Sequence, residues 1–365
     1  MFAERFDRVR AAMAEQRVDT LVLSVGPDLP WLTGYEAMPL ERLTALVVPA
    51  EGAATLVIPR LEAPRVAPRD EFSLRAWDET DDPIAITAEL VGSAATVGVG
   101  DRTWARFVLD LQGALPKASW RRASEVVGPL RAMKDAAEIA ALRRAGTAVD
   151  RIAAELQAGM IELVGRTEAE VSAELGRRIL AEGHHRVNFA IVAAGENAAS
   201  PHHEPGSRVI QEGEGVLCDF GGTMLGDDGV GYCSDITRCV WLGEPPSEAA
   251  DAYAALLEAQ QAAVAAATVG TPCEEVDATA RRIITEAGWG DRFIHRTGHG
   301  IGIEEHEDPY IVAGNGTPLA AGHAFSVEPG IYVEGRFGFR LEDIVVAADS
   351  GPDPLNTASH DLALI

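Results

Sequence analysis

Cysteine is scarce in this sequence: the chain has four cysteines in 365 residues and no C-x-x-C pair. So few thiols exclude a disulfide-stapled scaffold and the commonest thiolate metal or redox motif. Cys218, Cys233 and Cys239 lie in apolar, strand-like text. We therefore expect them to be buried free thiols.

Positive charge is also in short supply. Lys and Arg total 31 against 56 Asp and Glu, which gives a formal net charge of -25. A chain this acidic is repelled by phosphate backbones and by anionic lipid. We therefore expect neither a nucleic-acid partner nor a function at a membrane surface.

Long apolar runs are missing as well. No stretch of 18 apolar residues occurs, and the N-terminus, MFAERFDRVRAAMAEQ, carries charges throughout. It lacks the apolar segment of a signal peptide, so these features predict a cytoplasmic protein with no membrane partner. Neither a P-loop nor a G-x-G-x-x-G opening a helix is present. With 47% hydrophobic residues, the chain still has enough apolar material for a sizeable core.

The first third of the chain alternates between helical and strand-like patterns. Phe2, Phe6, Val9 and Met13 recur at helical spacing. Strand-like text then follows at 18–24, 43–49, 54–59 and 97–100. This predicts a small α/β domain, and we place its end at residue 127.

The rest of the chain, 128–365, has helix pairs that alternate with groups of strands. One long helical pattern runs from the boundary to about residue 157, and Thr167 with Glu170 fits a capping box. The strand-like text at 215–224 and 323–348 is typical of antiparallel strands. The fold class predicted is α+β, with a coarse internal duplication.

Four acidic residues stand inside strand-like text: Asp219, Asp235, Glu328 and Glu342. An unpaired buried carboxylate is energetically costly, and a single one is usually paired within the core. Four of them would need four cationic partners, yet lysine is nearly absent from the second half of the chain. Two bound divalent ions meet the same need with about four positive charges.

The segment HRTGHGIGIEEHEDP adds His295, His299 and His306, with glycines that leave room for a ligand. Neutral imidazole is a common nitrogen ligand of metals. One histidine with four carboxylates is an oxygen-rich set, which favours manganese, cobalt, iron or zinc. Two such ions about 3.5–4 Å apart form a hydrolytic pair that activates water.

Taken in order, these motifs resemble the metal site of the Xaa-Pro peptidase branch of the pita-bread metallopeptidases, which includes aminopeptidase P and prolidase. The matching motifs are HRTGHGIG from His295, H-E-x-P from His306, SVEPGIY around Glu328 and RLED from Arg340. The resemblance implies a creatinase-like α/β N-terminal domain, residues 1–127. It also implies a pita-bread catalytic domain with pseudo-two-fold symmetry, residues 128–365.

The same resemblance implies a dinuclear site that holds two divalent ions, manganese in the first place. Asp219, Asp235, His299, Glu328 and Glu342 would be the metal ligands, with Asp235 and Glu342 bridging the ions. Glu328 would also shuttle the proton of the reaction.

Further roles follow from the resemblance for residues around the metals. His306 would hydrogen-bond the scissile carbonyl or the tetrahedral intermediate, and His202, 17 residues before Asp219, would face the substrate. His295 matches an additional pocket histidine. Arg340 would orient the last glutamate ligand or meet the substrate.

Two features depart from the family pattern. Asp219 and Asp235 are 16 residues apart instead of the usual eleven, which predicts a hairpin with a longer turn. The alternative is that Asp227 or Asp228 serves as the second ligand. Tyr310 stands where some prolidases have an arginine that contacts the carboxylate of a dipeptide.

Because of Tyr310, strict dipeptide specificity is open at this point. Arg296, Arg336 or a group from the N-terminal domain could replace the missing arginine, so we count Tyr310 among the candidate substrate contacts. The implied activity is hydrolysis of the X–Pro bond in dipeptides or at the N-terminus of peptides, in a homodimer. The alternatives are a same-fold relative, either a metal-dependent lyase or a metal-free amidinohydrolase, and an inactive peptide-binding protein.

Overall fold

The N-terminal helix α1 (Phe2–Gln16) forms as its periodicity predicts, and it buries Phe2, Phe6, Val9 and Met13 on one face. A computed structural model describes all 365 residues and contains two compact units. The first unit comprises residues 1–131 together with 227–230, and the second comprises 132–226 and 231–365.

The first unit is built on one six-stranded mixed sheet. Its strands are β1 (Thr20–Leu23), β2 (Ala45–Pro49), β3 (Ala54–Pro59), β4 (Phe72–Trp77), β5 (Thr96–Val99) and β6 (Ser119–Arg122). Their order in the sheet is β4-β3-β2-β1-β5-β6. The remaining helices are α2 (Asp28–Thr33), α3 (Pro83–Val91), α4 (Ala105–Ala114) and α5 (Ser124–Ala132). An apolar cluster that includes Val22, Trp77 and Phe107 fills the space between sheet and helices, so the predicted α/β domain is confirmed.

The second unit repeats one arrangement twice, a helix pair followed by strands. The helices are α6 (Ala136–Gln157), α7 (Glu168–Ala181), α8 (Ser247–Ala266) and α9 (Cys273–Glu286). The first strands are β7 (Arg186–Ala194), β8 (Gly215–Leu225), β9 (Gly231–Cys233) and β10 (Ile236–Trp241). The later strands are β11 (Gly298–Gly300), β12 (Glu307–Ile311), β13 (Ala324–Val327), β14 (Gly330–Val333), β15 (Phe337–Arg340), β16 (Asp343–Ala348), β17 (Gly351–Pro354) and β18 (Ala363–Leu364).

Each helix pair packs on its own sheet. The first sheet has the order β18-β10-β8-β7, with β9 added to β8, and the second has the order β12-β11-β13-β16-β17. One apolar cluster joins α6 and α7 to the first sheet, and another joins α8 and α9 to the second. The α+β fold with two similar halves is therefore confirmed.

The helical conformation is interrupted between α5 and α6, where the sequence pattern predicts one long helix. Asp135 caps α6 by accepting hydrogen bonds from the backbone N–H groups of Ala137 and Glu138, and Glu138 returns a contact to the backbone N–H of Asp135. This capping box ends the preceding helical run, because the capping residue takes an extended conformation. The predicted capping box of Thr167 and Glu170 starts α7.

The helices of this protein are too short or too polar to cross a bilayer.

Candidate metal centre

Asp219 and Asp235 lie on the two arms of one hairpin. Asp219 lies within β8 opposite Thr237, and Asp235 directly precedes β10. The additional residues of the turn extend the ladder through β9 to the pair Leu225 and Gly231. The predicted longer hairpin is confirmed, and it keeps both carboxylates on neighbouring strands.

The turn of this hairpin carries the two alternative acids. Asp228 Oδ1 accepts a hydrogen bond from the backbone N–H of Val230, and its Oδ2 lies 3.4 Å from Nη1 of Arg5. Asp227 and Asp228 belong to the first unit. The structure thus brings Asp235, and neither turn acid, into the cluster of carboxylates described below.

The second half of the unit supplies His299, Glu328 and Glu342. His299 lies in β11 between two glycines, and a Cβ added at Gly298 would stand 1.8 Å from the carbonyl oxygen of Ser326. A Cβ at Gly300 would meet the carbonyl of Asp308 at 2.3 Å. Only glycine allows β11 to approach its neighbours this closely, so the glycines of the motif place the imidazole.

Three of the five candidate ligands form one compact group. Ligand atoms of Asp235, His299 and Glu342 all lie within 4.8 Å of one another, and all three residues are buried. Nε2 of His299 lies 3.0 Å from Oε1 of Glu328 and 4.0 Å from Oδ2 of Asp235. Asp219 lines the same cavity but faces Arg340, whose Nη2 lies 2.5 Å from its Oδ2.

Three buried carboxylate oxygens of this group have no hydrogen-bond partner: Oδ1 of Asp219, Oδ1 of Asp235 and Oε1 of Glu342. Buried polar atoms are nearly always paired, and an unpaired buried acceptor is costly. Divalent cations satisfy such oxygens directly, and hard or borderline ions prefer carboxylate and imidazole ligands. The donor set therefore fits divalent metal ions.

The protonation states reflect this crowding. Burial and the neighbouring carboxylates raise the pKa of Asp235 and of Glu342 well above the usual range of carboxyl groups. Burial opposes ionisation of Glu328 too, but the hydrogen bond and the charge of His299 hold its pKa at about 2. Cations bound here would offset the repulsion that raises the first two values.

Two hydroxyl groups orient the carboxylates, and sequence reasoning missed both. Thr237 Oγ1 donates to Oε2 of Glu342 at 2.6 Å and accepts from Nε of Arg340 at 3.1 Å. Ser326 Oγ donates to Oε1 of Glu328 at 2.9 Å. Ser326 lies two residues before Glu328, and Thr237 lies two residues after Asp235. Strand alternation therefore places each hydroxyl on the same face as the nearby ligand. The sequence signal that could have identified both hydroxyls is a polar residue two positions from a predicted buried acid.

The imidazole of His299 is oriented by its own backbone neighbour. Nδ1 lies 3.1 Å from the carbonyl oxygen of Gly300. A carbonyl can only accept, so Nδ1 donates and Nε2 is the ring nitrogen that points at the carboxylate cluster, where it donates to Oε1 of Glu328. A metal bound at Nε2 would replace that proton and leave the Nδ1-protonated tautomer that a metal ligand requires.

Arg340 begins a chain of hydrogen bonds that ends at His295. Its Nη1 donates to the hydroxyl of Tyr332 at 2.9 Å, and that hydroxyl lies 2.8 Å from Nε2 of His295. Nδ1 of His295 lies 2.7 Å from the carbonyl of Arg296 and therefore donates. Burial lowers the pKa of His295, so a neutral ring accepts the Tyr332 proton. Both ring nitrogens are thus engaged by the protein.

His306 lies against His299, a candidate metal ligand, with ring centroids 3.9 Å apart and ring planes inclined by 42°. Its Nδ1 lies 3.3 Å from Nη2 of Arg296, which can only donate. Burial lowers the pKa of His306 to about 4, and the nearby His299 and Arg296 contribute to the same shift by a smaller amount. The ring is therefore neutral at pH 7, with its proton on Nε2.

His202 lies on an ordered loop that a buried carboxylate holds in place. Glu168 is fully buried, and it accepts hydrogen bonds from the backbone N–H of Ala194, from Asn197 and from His203. His203 is adjacent to His202 in the chain. The Glu168 contacts therefore position the loop whose exposed His202 faces the cavity.

A second buried carboxylate supports the segment that leads into His299. Asp277 Oδ1 accepts from the backbone N–H of Thr297 at 3.0 Å and from its hydroxyl at 2.8 Å. The carbonyl of Thr297 in turn accepts from the backbone N–H of Glu328 at 2.8 Å. Arg281, paired with Asp277, donates to the carbonyls of Phe293 and His295.

Nine of the ten predicted site residues line one cavity of about 590 Å³. The tenth, Tyr310, is absent from the wall, and its ring lies under the guanidinium of Arg296, 4.5 Å from the ring centroid. Sequence reasoning assigned no role to several other lining residues: Phe189, Ile191, Pro201 and Glu305.

Two family models together match most of the chain. The model described as metallopeptidase family M24 matches residues 133–349, and the creatinase/prolidase N-terminal domain matches residues 5–133. The two matched regions occur in the order expected from the motifs.

Named relatives resemble the chain over its whole length. A probable dipeptidase, PepE, of Mycobacterium tuberculosis is 43% identical over 373 residues, which covers 100% of this chain and 97% of the relative. The crystal structure of dipeptidase PepE from Mycobacterium ulcerans superposes with a TM-score of 0.92 at 44% identity and covers 100% and 98% of the two chains. A recombinant prolidase from Thermococcus sibiricus gives a TM-score of 0.92 at 36% identity, with coverage of 100% and 99%.

Proposed function

The chain belongs to metallopeptidase family M24, and on that basis we propose that it hydrolyses the bond before proline in X–Pro dipeptides and short peptides, with two divalent metal ions. The observation that carries the proposal is the group of buried carboxylate oxygens without partners on Asp219, Asp235 and Glu342. The relatives named dipeptidase and prolidase favour dipeptides as the first substrates to test.

We assign the metals to the five residues expected from the motifs, Asp219, Asp235, His299, Glu328 and Glu342. Their carboxylates and imidazole give the negative charge and the oxygen-rich environment that divalent ions require. Such ions supply, when bound, polarisation of the scissile carbonyl and an activated water. We propose manganese as the physiological ion, with cobalt, zinc and iron as alternatives.

His306 is the group proposed to bind the scissile carbonyl oxygen. Because Arg296 occupies Nδ1, the neutral ring presents the Nε2–H group to the cavity as a donor. A donor fixed beforehand stabilises the negative charge that develops on that oxygen in the transition state. His202, on the loop that Glu168 holds, lines the same cavity and is proposed to contact the substrate there.

Glu328 is the proposed proton carrier. Its ionised carboxylate can accept a proton, and a metal bound to His299 would remove the hydrogen bond that lowers its pKa. The proline nitrogen must be protonated before it leaves as an amine, which requires a carboxyl group within reach of that nitrogen. Ser326 and His299 hold Oε1 of Glu328, while Oε2 lies 3.9 Å from Arg340.

His295 and Arg340 are proposed to shape the substrate pocket as one connected pair through Tyr332. Arg340 also neutralises part of the charge of Asp219. The homodimer, the cytoplasmic location and the domain boundary at residue 127 stay predictions.

The test is a hydrolysis assay on protein that is treated with chelator and then reloaded with Mn²⁺. Three substrates are compared: Ala-Pro, Ala-Pro-Ala and Ala-Ala. We expect metal-dependent release of proline from Ala-Pro, with slower cleavage of the other two. Preferential cleavage of Ala-Pro-Ala would assign an aminopeptidase, and cleavage of Ala-Ala at the same rate would remove the proline preference.

Two variants control the assay. Glu342→Gln removes one candidate metal ligand and should abolish metal-dependent hydrolysis, whereas Glu334→Gln changes an exposed turn residue of the same type and should not. Absence of metal-dependent cleavage of any peptide in the wild type would overturn the peptidase assignment in favour of a lyase or a peptide-binding protein.

A further inference from the structure

The cavity holds many negative groups and only two arginines. Five carboxylates line it, against Arg296 and Arg340. Arg340 is fully engaged, because its guanidinium contacts Asp219, Thr237 and Tyr332 and the carbonyl of Pro201. Arg296 is therefore the lining arginine that still has N–H donors for an anionic group of a substrate.

Arg296 is half-buried and has no carboxylate partner in the structure. Its guanidinium makes one hydrogen bond, to Nδ1 of His306, and one stacking contact, to the ring of Tyr310. A guanidinium has five N–H donors, so most of them are left to bind a planar anion such as a carboxylate.

The pairing of β11 with β12 explains why Arg296 and Tyr310 meet. The backbone N–H of Thr297, the residue after Arg296, donates to the carbonyl of Ile311, the residue after Tyr310. The two antiparallel segments therefore lie side by side here, within reach of a long arginine side chain. The Tyr310 ring supports one face of the guanidinium and leaves the N–H edge open. Stacking of this kind restrains the long arginine side chain before a ligand arrives.

We propose that Arg296 binds the C-terminal carboxylate of a dipeptide substrate and that Tyr310 is the positioning residue for its guanidinium. The inference rests on the proposed function, because it takes His306 as the residue that binds the scissile carbonyl. In a dipeptide the carboxylate belongs to the residue directly after that carbonyl, one residue spacing of about 3.8 Å away. Arg296 contacts His306, the residue proposed to bind that carbonyl, and lines the same cavity.

The consequence is selectivity for dipeptides over longer peptides. In a tripeptide the same position carries an amide, which cannot form a charge-assisted bidentate pair with arginine. The chain would thus recognise a dipeptide even though it has a tyrosine, and not an arginine, at position 310.

The experiment measures kcat/KM for Ala-Pro and for its amide, Ala-Pro-NH₂, which differ only in the terminal charge. The Mn²⁺-loaded wild type should prefer Ala-Pro, and Arg296→Gln should reduce that preference by about 10- to 100-fold. The ratio of the two substrates isolates the carboxylate, because any effect of Arg296 on His306 changes both rates alike.

Arg336→Gln is the matched control, since Arg336 also stacks on an aromatic ring, that of Phe337, but pairs with Glu248 outside the cavity. It should leave the ratio unchanged. Tyr310→Leu should lower the ratio by raising KM for Ala-Pro, and Tyr310→Phe should restore it because the ring is retained.

The outcomes separate the two proposals. An unchanged ratio in Arg296→Gln, or a changed ratio in Arg336→Gln alone, overturns the assignment of Arg296 while the peptidase activity stands. A wild type that cleaves neither substrate overturns the proposed function instead, and binding of Ala-Pro measured by calorimetry then still tests Arg296.

Discussion

Thr237 and Glu342 are joined twice, by an isolated antiparallel bridge between their backbones and by a hydrogen bond of 2.6 Å from Thr237 Oγ1 to Glu342 Oε2. The bridge connects β10 of the first half with the residue before β16 of the second. A single hydroxyl thus orients a candidate metal ligand that comes from the opposite sheet.

Thr237→Val should weaken Mn²⁺ binding by about 10- to 100-fold, because valine keeps the shape of threonine and removes the bond that orients Glu342. Titration calorimetry on chelator-treated protein measures the effect. Thr87→Val is the control, since Thr87 is also buried but donates to the carbonyl of Pro83 in the first unit. An unchanged affinity in Thr237→Val would show that Glu342 needs no such orientation.

Asp235→Asn should abolish Mn²⁺ binding and yet raise the free energy of unfolding of the chelator-treated protein at pH 7. The raised pKa of Asp235 shows that its charged form is disfavoured in the fold, and asparagine removes that charge. Urea unfolding in the presence of chelator measures the difference. Asp251→Asn, an exposed position on α8, should have no effect on either property. A loss of stability in Asp235→Asn would show that this carboxylate is satisfied without metal.

Asp277→Ala should lower the free energy of unfolding by roughly 3 kcal/mol, because it leaves Thr297 and the guanidinium of Arg281 without their acceptor. Mn²⁺ affinity should fall as well, since Thr297 anchors the backbone of Glu328. Asp353→Ala removes an exposed pair with Arg143 and should cost less than about 1 kcal/mol. Equal losses in the two variants would contradict a special role for Asp277.

His323 should make the protein less stable in mild acid. Burial, with the nearby Lys134 charge, lowers its pKa to about 4, below the value of about 6.5 in the unfolded chain. The unfolded state therefore binds more protons than the folded state between pH 6.5 and 4. The contribution of neutral His323 to the free energy of unfolding is complete above pH 6.5 and is lost as the pH falls toward 4. The full loss is about 3 kcal/mol.

The measurement compares urea unfolding of the wild type and His323→Asn across this range. Asparagine can still accept the hydrogen bond from the backbone N–H of Ala320 but does not titrate. Stability of the variant should fall less steeply with acid, and parallel curves would exclude His323 as the source.

Sequence reasoning located the fold and the acids because both depend on local patterns. The helix α1 follows from the spacing of its apolar residues, and the hairpin of Asp219 and Asp235 follows from alternation and a glycine-rich turn. The break before α6 was missed, because the capping role of Asp135 depends on where the chain turns and not on periodicity.

The supporting contacts could not be predicted in the same way. Thr237 and Glu342 are 105 residues apart, and Glu168 holds a loop that extends up to 38 residues beyond it. Such contacts arise when separate sheets and loops pack together, which a linear pattern does not record. The stacking of Arg296 on Tyr310 likewise depends on how the segment before β11 lies beside β12.

The candidate ligands are divided between the two halves of the second unit, with Asp219 and Asp235 from the first sheet and the other three from the second. An ion held by all of them would act as a cross-link between distant parts of the chain. Its loss would then loosen both halves together, so limited proteolysis after chelation should expose cleavage sites in each half at the same rate.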